Sequence, residues 1–287
     1  MWLHFNLADN RVRSWIRRQR DWPEEARETL LNPSAHVFAQ TLPHGLVAVL
    51  SDLHHDLRAD PEGFGLLSIY IDRRWAISGR RHALRSADQL RRSLLRGLEV
   101  ETPMAWFQEL VLALADTAAK VVNGLNDEVD DAEDKILVGR VHAQATVLGR
   151  IRRILARLRR QVVANRAALA TVSANFPAWC DPEYRESSRQ AVGRLEAVAQ
   201  DLELVQERTR LLQEEIASRL GEATSRNLFL LSVLTATFLP VTLISGIFGM
   251  NVGGLPWLKS PSGFWWACGL MVAAAVTTLL LLRKWRN

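Results

Sequence analysis

From Leu228 to Phe248 the chain reads LFLLSVLTATFLPVTLISGIF, a run with no Asp, Glu, Lys, Arg or His. Its 21 residues span about 31 Å as an α-helix, which matches the hydrocarbon thickness of a bilayer. A second charge-free run, FWWACGLMVAAAVTTLLLL from Phe264 to Leu282, also suffices. The core helix of a soluble domain can be equally apolar, but two such runs joined by a short connection read as paired membrane spans. The 227 residues before them are rich in charge, so the expected architecture is a soluble body followed by two spans. Arg226 precedes the first span, Arg283, Lys284 and Arg286 follow the second, and Lys259 stands alone between them. The positive-inside bias places both termini in the cytoplasm, with Trp257, Trp265 and Trp266 at the outer interface.

Apolar residues at 48% and charged residues at 23% exclude a disordered chain and a wholly embedded one. Thirty-six basic against 31 acidic residues give +5. The excess sits along helical stretches and beside the spans, which argues against a nucleic-acid partner. Two cysteines, Cys180 and Cys268, make no disulfide framework, and the amino terminus has no signal-peptide pattern.

Upstream of the spans, Glu183 onward contains no proline until Pro240. Leu195, Leu202, Thr209 and Ile216 recur every seven residues beside Val198, Val205 and Leu212, a heptad pattern for a bundle or coiled coil. A helix continuous from Glu183 to Phe248 would measure roughly 100 Å. The proline-free segment Met104 to Ala174 reads as further long helices. Residues 1–102 mix short apolar runs, Gly45–Leu50, Phe64–Ile71 and Arg74–Ser78, with helices at Glu24–Leu31 and Ser86–Leu95. These read as an α/β domain. The fold class is therefore α+β with a membrane part: a cytosolic α/β domain (1–102), a long-helix stalk or funnel (103–227), a first span (228–250), an outer loop (251–263), a second span (264–282) and a basic tail (283–287).

On the first span Leu228, Ser232, Thr235, Leu239, Thr242, Gly246 and Gly249 form one stripe at alternating spacings of four and three, with Leu230, Leu234, Val241, Ile244 and Phe248 opposite. Small and hydroxylated residues on one helical face permit close helix packing; in an oligomer they also line a polar path. The second span has no such stripe and is expected to face lipid. The exit of the first span, Ile247-Phe248-Gly249-Met250-Asn251, completes a constellation with Pro240, the short loop and the basic tail. Over essentially the whole chain this resembles the CorA-type divalent-cation transporters, with Phe248 where that family has tyrosine. The resemblance implies a homopentamer in a bacterial-type inner membrane, an axial pore lined by the first spans, a funnel of long helices, and Gly249, Met250 and Asn251 as the selectivity motif. A ring of Asn251 amides would offer neutral oxygens to a hydrated divalent ion. The loop Val252-Gly253-Gly254-Leu255-Pro256 carries no acid, which is similar to the ZntB zinc-transporting branch. The cargo implied is Zn2+, taken up and coupled to protons as in that branch, with Mg2+, Co2+, Ni2+ and Cd2+ as alternatives. The magnesium and cobalt channel reading stays open, as does a membrane-anchored receptor or scaffold without ion flux. Neither span contains the Asp, Glu or His that intramembrane proton relays use.

Two clusters in the soluble body attract attention as metal-attracting or metal-binding groups. Asp52-Leu53-His54-His55-Asp56 gathers potential zinc ligands, although adjacent histidines on an extended segment point apart. Asp127, Glu128, Asp130, Asp131, Glu133 and Asp134 form an acidic helix face that would concentrate cations, or a solvated face paired with the arginine-rich stretch Arg150 to Arg160. No phosphate-binding Gly-rich loop, nucleophile elbow or His-Glu-x-x-His occurs, so the chain is not expected to be an enzyme or to hold a cofactor.

Overall fold

The computed structural model describes residues 1–32, 36–54, 63–250 and 262–286. Five strands, β1 (Trp2–Asn6), β2 (Phe38–Thr41), β3 (Gly45–Leu53), β4 (Phe64–Asp72) and β5 (Ala76–Arg80), form one mixed sheet in the order β1-β5-β4-β3-β2. The β1–β5 pair is parallel and the others are antiparallel. All nine residues of β3 are buried, as a strand covered on both faces requires, and this is why Leu46 to Leu50 is a continuous apolar run. One face carries α1 (Asn10–Arg18) and α2 (Glu24–Leu31), whose Ile16, Ala26 and Leu30 pack in a cluster with Val47, Tyr70 and Ile77. The sheet also packs against α3 (Arg85–Leu95), α4 (Pro103–Leu137) and α5 (Val141–Ala174).

Three of these elements begin or end for identifiable reasons. Thr102 caps α4 by accepting the backbone N–H of Ala105 at 3.1 Å, with Pro103 in the first turn. The α4–α5 hairpin turns at Gly139, whose φ of +85° is open to glycine. Helix α3 has no side-chain cap of its own. Asp52 of β3 supplies one, its buried carboxylate accepting Ser86 N–H at 3.0 Å, Ser86 Oγ–H at 2.7 Å and Ala87 N–H at 3.3 Å. Burial pushes the Asp52 carboxyl above the ordinary range, against the pull of those donors.

Helix α6 (Glu183–Phe248) is continuous over 66 residues, and α7 (Gly263–Arg286) follows it. Residues 1–213 and 214–287 form two compact units. In the first, α6 runs in the same direction as α4: Gln108 Nε2 donates to Tyr184 O at 2.7 Å, Arg194 pairs with Asp116 at 3.2 Å, and Arg208 with Asp130 at 2.7 Å. The heptad residues Leu195, Leu202, Thr209 and Ile216 are all buried within the single chain. Leu195 and Leu202 complete a core shared by the long helices of one chain, the bundle form of the heptad pattern. The exposed apolar residues of this part of α6 are Leu204 and Leu211.

Two polar contacts, one buried and one half-buried, stabilise the sheet. Strand β2 pairs with β3 only as far as Val49, which leaves the β2-facing backbone groups of Ser51 without a strand partner. Asn165 of α5 replaces it: Ser51 N–H donates to Oδ1 at 2.9 Å and Nδ2 donates to Ser51 O at 2.8 Å. On β1, Arg80 Nε–H donates to His4 Nε2 at 2.8 Å, so the neutral ring carries its proton on Nδ1 and donates it to Ser78 Oγ, also at 2.8 Å. Ser78 Oγ accepts Trp2 Nε1–H as well, at 2.9 Å. Burial first, then the charges of Arg80 and Arg91, pull the His4 pKa down to about 4, with Asp88 opposing.

Asn165→Leu should cost about 2 kcal/mol or more, because it strands two buried backbone groups; a thermal melt of the full chain with an unchanged midpoint would contradict this. The His4 shift has a definite sign. The unfolded chain takes up a proton near pH 6.5 that the folded chain refuses until about pH 4, so this stabilisation is complete above pH 6.5 and is lost as pH falls through that window. The loss is at most about 3 kcal/mol. His4→Gln should flatten the decline of stability between pH 7 and pH 5, read from melts at each pH.

Candidate membrane path and acidic face

Within residues 214–287, both charge-free segments are helical and almost wholly uncovered by protein. Leu228 is 59% exposed and Leu239 65%. An apolar helix that the protein does not bury needs another apolar medium, which removes the soluble-core reading of these runs.

The uncovered surface of α6 is not uniform. Val233, Thr237, Pro240, Val241, Ile244 and Phe248 are half-buried and fall on one stripe, with Ala236 half-buried at the boundary between that stripe and the open side; on α7 Ala267 is buried and Cys268, Met271, Ala274, Ala275, Thr278 and Leu282 are half-buried. Leu228, Ser232, Thr235, Leu239, Thr242, Gly246 and Gly249 are all exposed, on the side of α6 roughly opposite its half-buried stripe by the 100° step of a helix. Thr235, Leu239, Thr242 and Gly246 border one open groove with Phe238, Leu243, Ile247 and Met250.

The hydroxyls on that face have their protons engaged. Ser232 Oγ donates to Leu228 O at 2.9 Å, Thr235 Oγ1 to Leu231 O at 2.9 Å and Thr242 Oγ1 to Phe238 O at 2.8 Å. With the proton held inside the helix, each hydroxyl presents oxygen lone pairs outward. Pro240 adds an acceptor that sequence reasoning overlooked: it has no N–H for the carbonyl of Ala236, and Ala236 borders the same side with Leu231, Ser232, Thr235 and Leu239. The signal was a proline in the middle of a span. Together these groups give a surface rich in oxygen acceptors and free of fixed charge, suited to transient contact with hard cations or their hydration water.

Helix α6 ends in a tightened turn. Gly249 N–H donates to Ser245 O at 2.9 Å and Met250 N–H to Ile247 O at 3.3 Å. A Cβ at Gly249 would come within 3.1 Å of the Ser245 carbonyl oxygen, so the position favours glycine through proximity rather than through a left-handed backbone. Asn251 and the loop residues Val252 to Pro261 lie outside the described residues.

The acidic stretch divides into two sets. Glu128 pairs with Arg150, while Asp130 and Glu133 share Arg208 at 2.7 and 2.8 Å. Arg208 also donates to Asn126 Oδ1 at 3.0 Å, and the two carboxylates raise its pKa. Arg159 pairs with Glu203 at 2.5 Å and Arg166 with Glu196. Asp127, Asp131 and Asp134 point to solvent with no ion pair among the described residues. The stretch is thus partly a set of cross-helix pairs and partly a solvated face. His54 stacks its ring 5.1 Å from that of His82, and Asp52 beside it is engaged in capping α3. His55 and Asp56 lie outside the described residues. Among the described residues no three His, Cys, Asp or Glu side chains converge on a point that would hold a metal ion.

A charged N-terminal body with a mixed sheet and long helices, followed by two uncovered apolar helices, defines a two-span membrane protein. The sequence signature of the family described as CorA-like Mg2+ transporter protein matches residues 1–284, and the chain belongs to that family. It is a divalent cation transporter and not an enzyme. The zinc transport protein ZntB of Pectobacterium atrosepticum is 26% identical over 99% of this chain and 87% of its own length. The divalent cation transporter CmaX of Pseudomonas aeruginosa is 27% identical over 100% and 87%. The structure of full-length CmaX superimposes with a TM-score of 0.83 at 27% identity, covering 100% of this chain and 88% of that one. The complete CorA magnesium transporter from Methanocaldococcus jannaschii shares the fold, with a TM-score of 0.84 at 16% identity over 99% and 90%.

Proposed function

We propose that several copies of this chain, five by family resemblance, surround an axial path for divalent metal cations lined by the first spans, with Zn2+ as the favoured cargo. The observation that carries this reading is the open stripe of α6, where Ser232, Thr235, Thr242 and the freed carbonyl of Ala236 supply oxygens. One such helix cannot enclose a path, so the reading requires a homo-oligomer. Gly249, Met250 and Asn251 form the outer mouth, where Asn251 amides meet the hydrated ion. The full-length similarity to proteins named as zinc transporters supports Zn2+ over Mg2+, Co2+, Ni2+ and Cd2+, and so does the loop Val252 to Pro256 without an acid. Neither span holds Asp, Glu or His, so in the proton coupling proposed here ion and proton share the axial path, or the proton is sensed by titrating groups of the N-terminal unit. Asp127, Asp131 and Asp134 raise the local cation concentration without binding one ion tightly.

Purified protein in liposomes should carry Zn2+ faster than Mg2+, Co2+ or Ni2+, and a pH gradient should change the Zn2+ rate. No flux of any of them would return the receptor or scaffold reading. Asn251→Ala should slow flux at least about tenfold with the oligomer intact, because conduction depends on that oxygen ring. Thr242→Val should slow it less, and Val241→Thr, on the half-buried side, should change it little. Equal effects at Thr242 and Val241 would contradict the assigned face.

Orientation follows from the basic flanks, with both termini cytoplasmic in a bacterial-type inner membrane and Lys259 outside. Ser260→Cys should react with an impermeant thiol reagent in intact cells, and Asn287→Cys only after permeabilisation. The opposite pattern would invert the topology.

A further inference from the structure

The N-terminal unit has a surface hollow of about 550 Å3, bordered by Pro43 and His44 of the β2–β3 turn, Asp72, Arg73 and Arg74 of the β4–β5 turn, and Ala178 and Trp179 of the α5–α6 connection. We infer that this hollow binds a nucleotide, with the Arg73 and Arg74 guanidiniums on its phosphates and the Trp179 indole against its base.

The two arginines are exposed and make no ion pair among the described residues. The acid beside them is otherwise engaged: Asp72 accepts Arg74 N–H at 2.7 Å, Trp75 N–H at 2.8 Å and the Tyr70 hydroxyl at 3.1 Å. Those bonds fix the turn that projects both guanidiniums. Arg73 is already oriented, because its Nε–H donates to Trp179 O at 3.0 Å, which leaves both terminal NH2 groups as a fork. Forks of this kind match phosphate oxygens in pairs. Trp179 is held too, its Nε1–H donating to Gly45 O at 3.3 Å, so its ring is pinned and half-buried. Asp181 and Glu183, which follow in the chain, do not border the hollow. The volume suits one mononucleotide. Inorganic phosphate alone leaves the indole unused, and adenosine alone leaves the guanidiniums unused.

The same phosphate chemistry is available on a lipid headgroup, and the titration separates the sources. Full-length protein in detergent with EDTA, free of divalent metal, would be titrated calorimetrically with ADP, pyrophosphate, adenosine and soluble dioctanoyl phosphatidic acid. ADP should bind at least about tenfold more tightly than each of the others. Arg74→Gln, at a side chain that makes no hydrogen bond or ion pair among the described residues, should weaken ADP at least tenfold, and Arg73→Gln at least as much. Trp179→Leu should weaken ADP several-fold and leave pyrophosphate unchanged. Oligomer size and Zn2+ flux should match the unmodified protein for Arg74→Gln, so a failed titration does not bear on the transport reading. No ADP binding at millimolar concentration, binding indifferent to Arg74→Gln, or equal affinity for pyrophosphate or phosphatidic acid would each overturn the assignment.

Discussion

A bilayer offers no water to backbone amides, so a segment that crosses it must satisfy its N–H and C=O groups within itself, except where one faces protein or a water-filled path. Most of this chain's architecture follows from that demand on α6. Residues 228–248 leave most of their side chains uncovered while their backbone stays helical. The same helix begins in a water-soluble body, where its heptad face has to be buried against other helices. One element thus changes solvent along its length, and its sequence changes with it. Leu195, Leu202 and Thr209 lie beneath the surface of one subunit, whereas Leu228, Leu231 and Leu239 are open.

Within that constraint, polarity can be displayed only by groups that cost little to desolvate. A hydroxyl that returns its proton to the carbonyl four residues earlier is such a group, and Ser232, Thr235 and Thr242 all adopt that arrangement. Pro240 reaches the same end through the backbone, by withholding a donor. The path proposed here, built from neutral oxygens, would bind a divalent ion weakly enough to release it. Fixed carboxylates are kept in the soluble unit, where Arg150 and Arg208 balance half of the acidic stretch.

The parts of the fold legible in the sequence were those set by long periodicities. The charge-free runs, the helix from Glu183 to Phe248 and the short helix Glu24–Leu31 stand where the pattern put them. Strand β1 escaped notice because His4 and Asn6 interrupt a five-residue run whose burial comes from β5 and from Trp106, packed 5.3 Å from Trp2. Helix α1 is arginine-rich, and Val12, Trp15 and Ile16 alone carry its apolar face. Strand β5 starts at Ala76 rather than Arg74, because Asp72 draws Arg74 and Trp75 into its turn. Met104 to Ala174 reads as long helices without a marked boundary, and the hairpin between them turns on the positive φ of Gly139. The oxygen-bearing stripe was legible from its spacing. That it lies open, opposite the half-buried face, required the structure.

The central claim is that this open stripe faces the transported ion. The direct test is thiol block of Zn2+ flux in liposomes, with single cysteines introduced along α6 and the unmodified protein, which carries Cys180 and Cys268, as the reference. A small membrane-impermeant thiol reagent should stop flux through cysteines at Thr235, Leu239, Thr242 and Gly246 and leave it unchanged at Val233, Thr237, Val241 and Ile244. Block at the second set, or block without helical periodicity, would contradict the account.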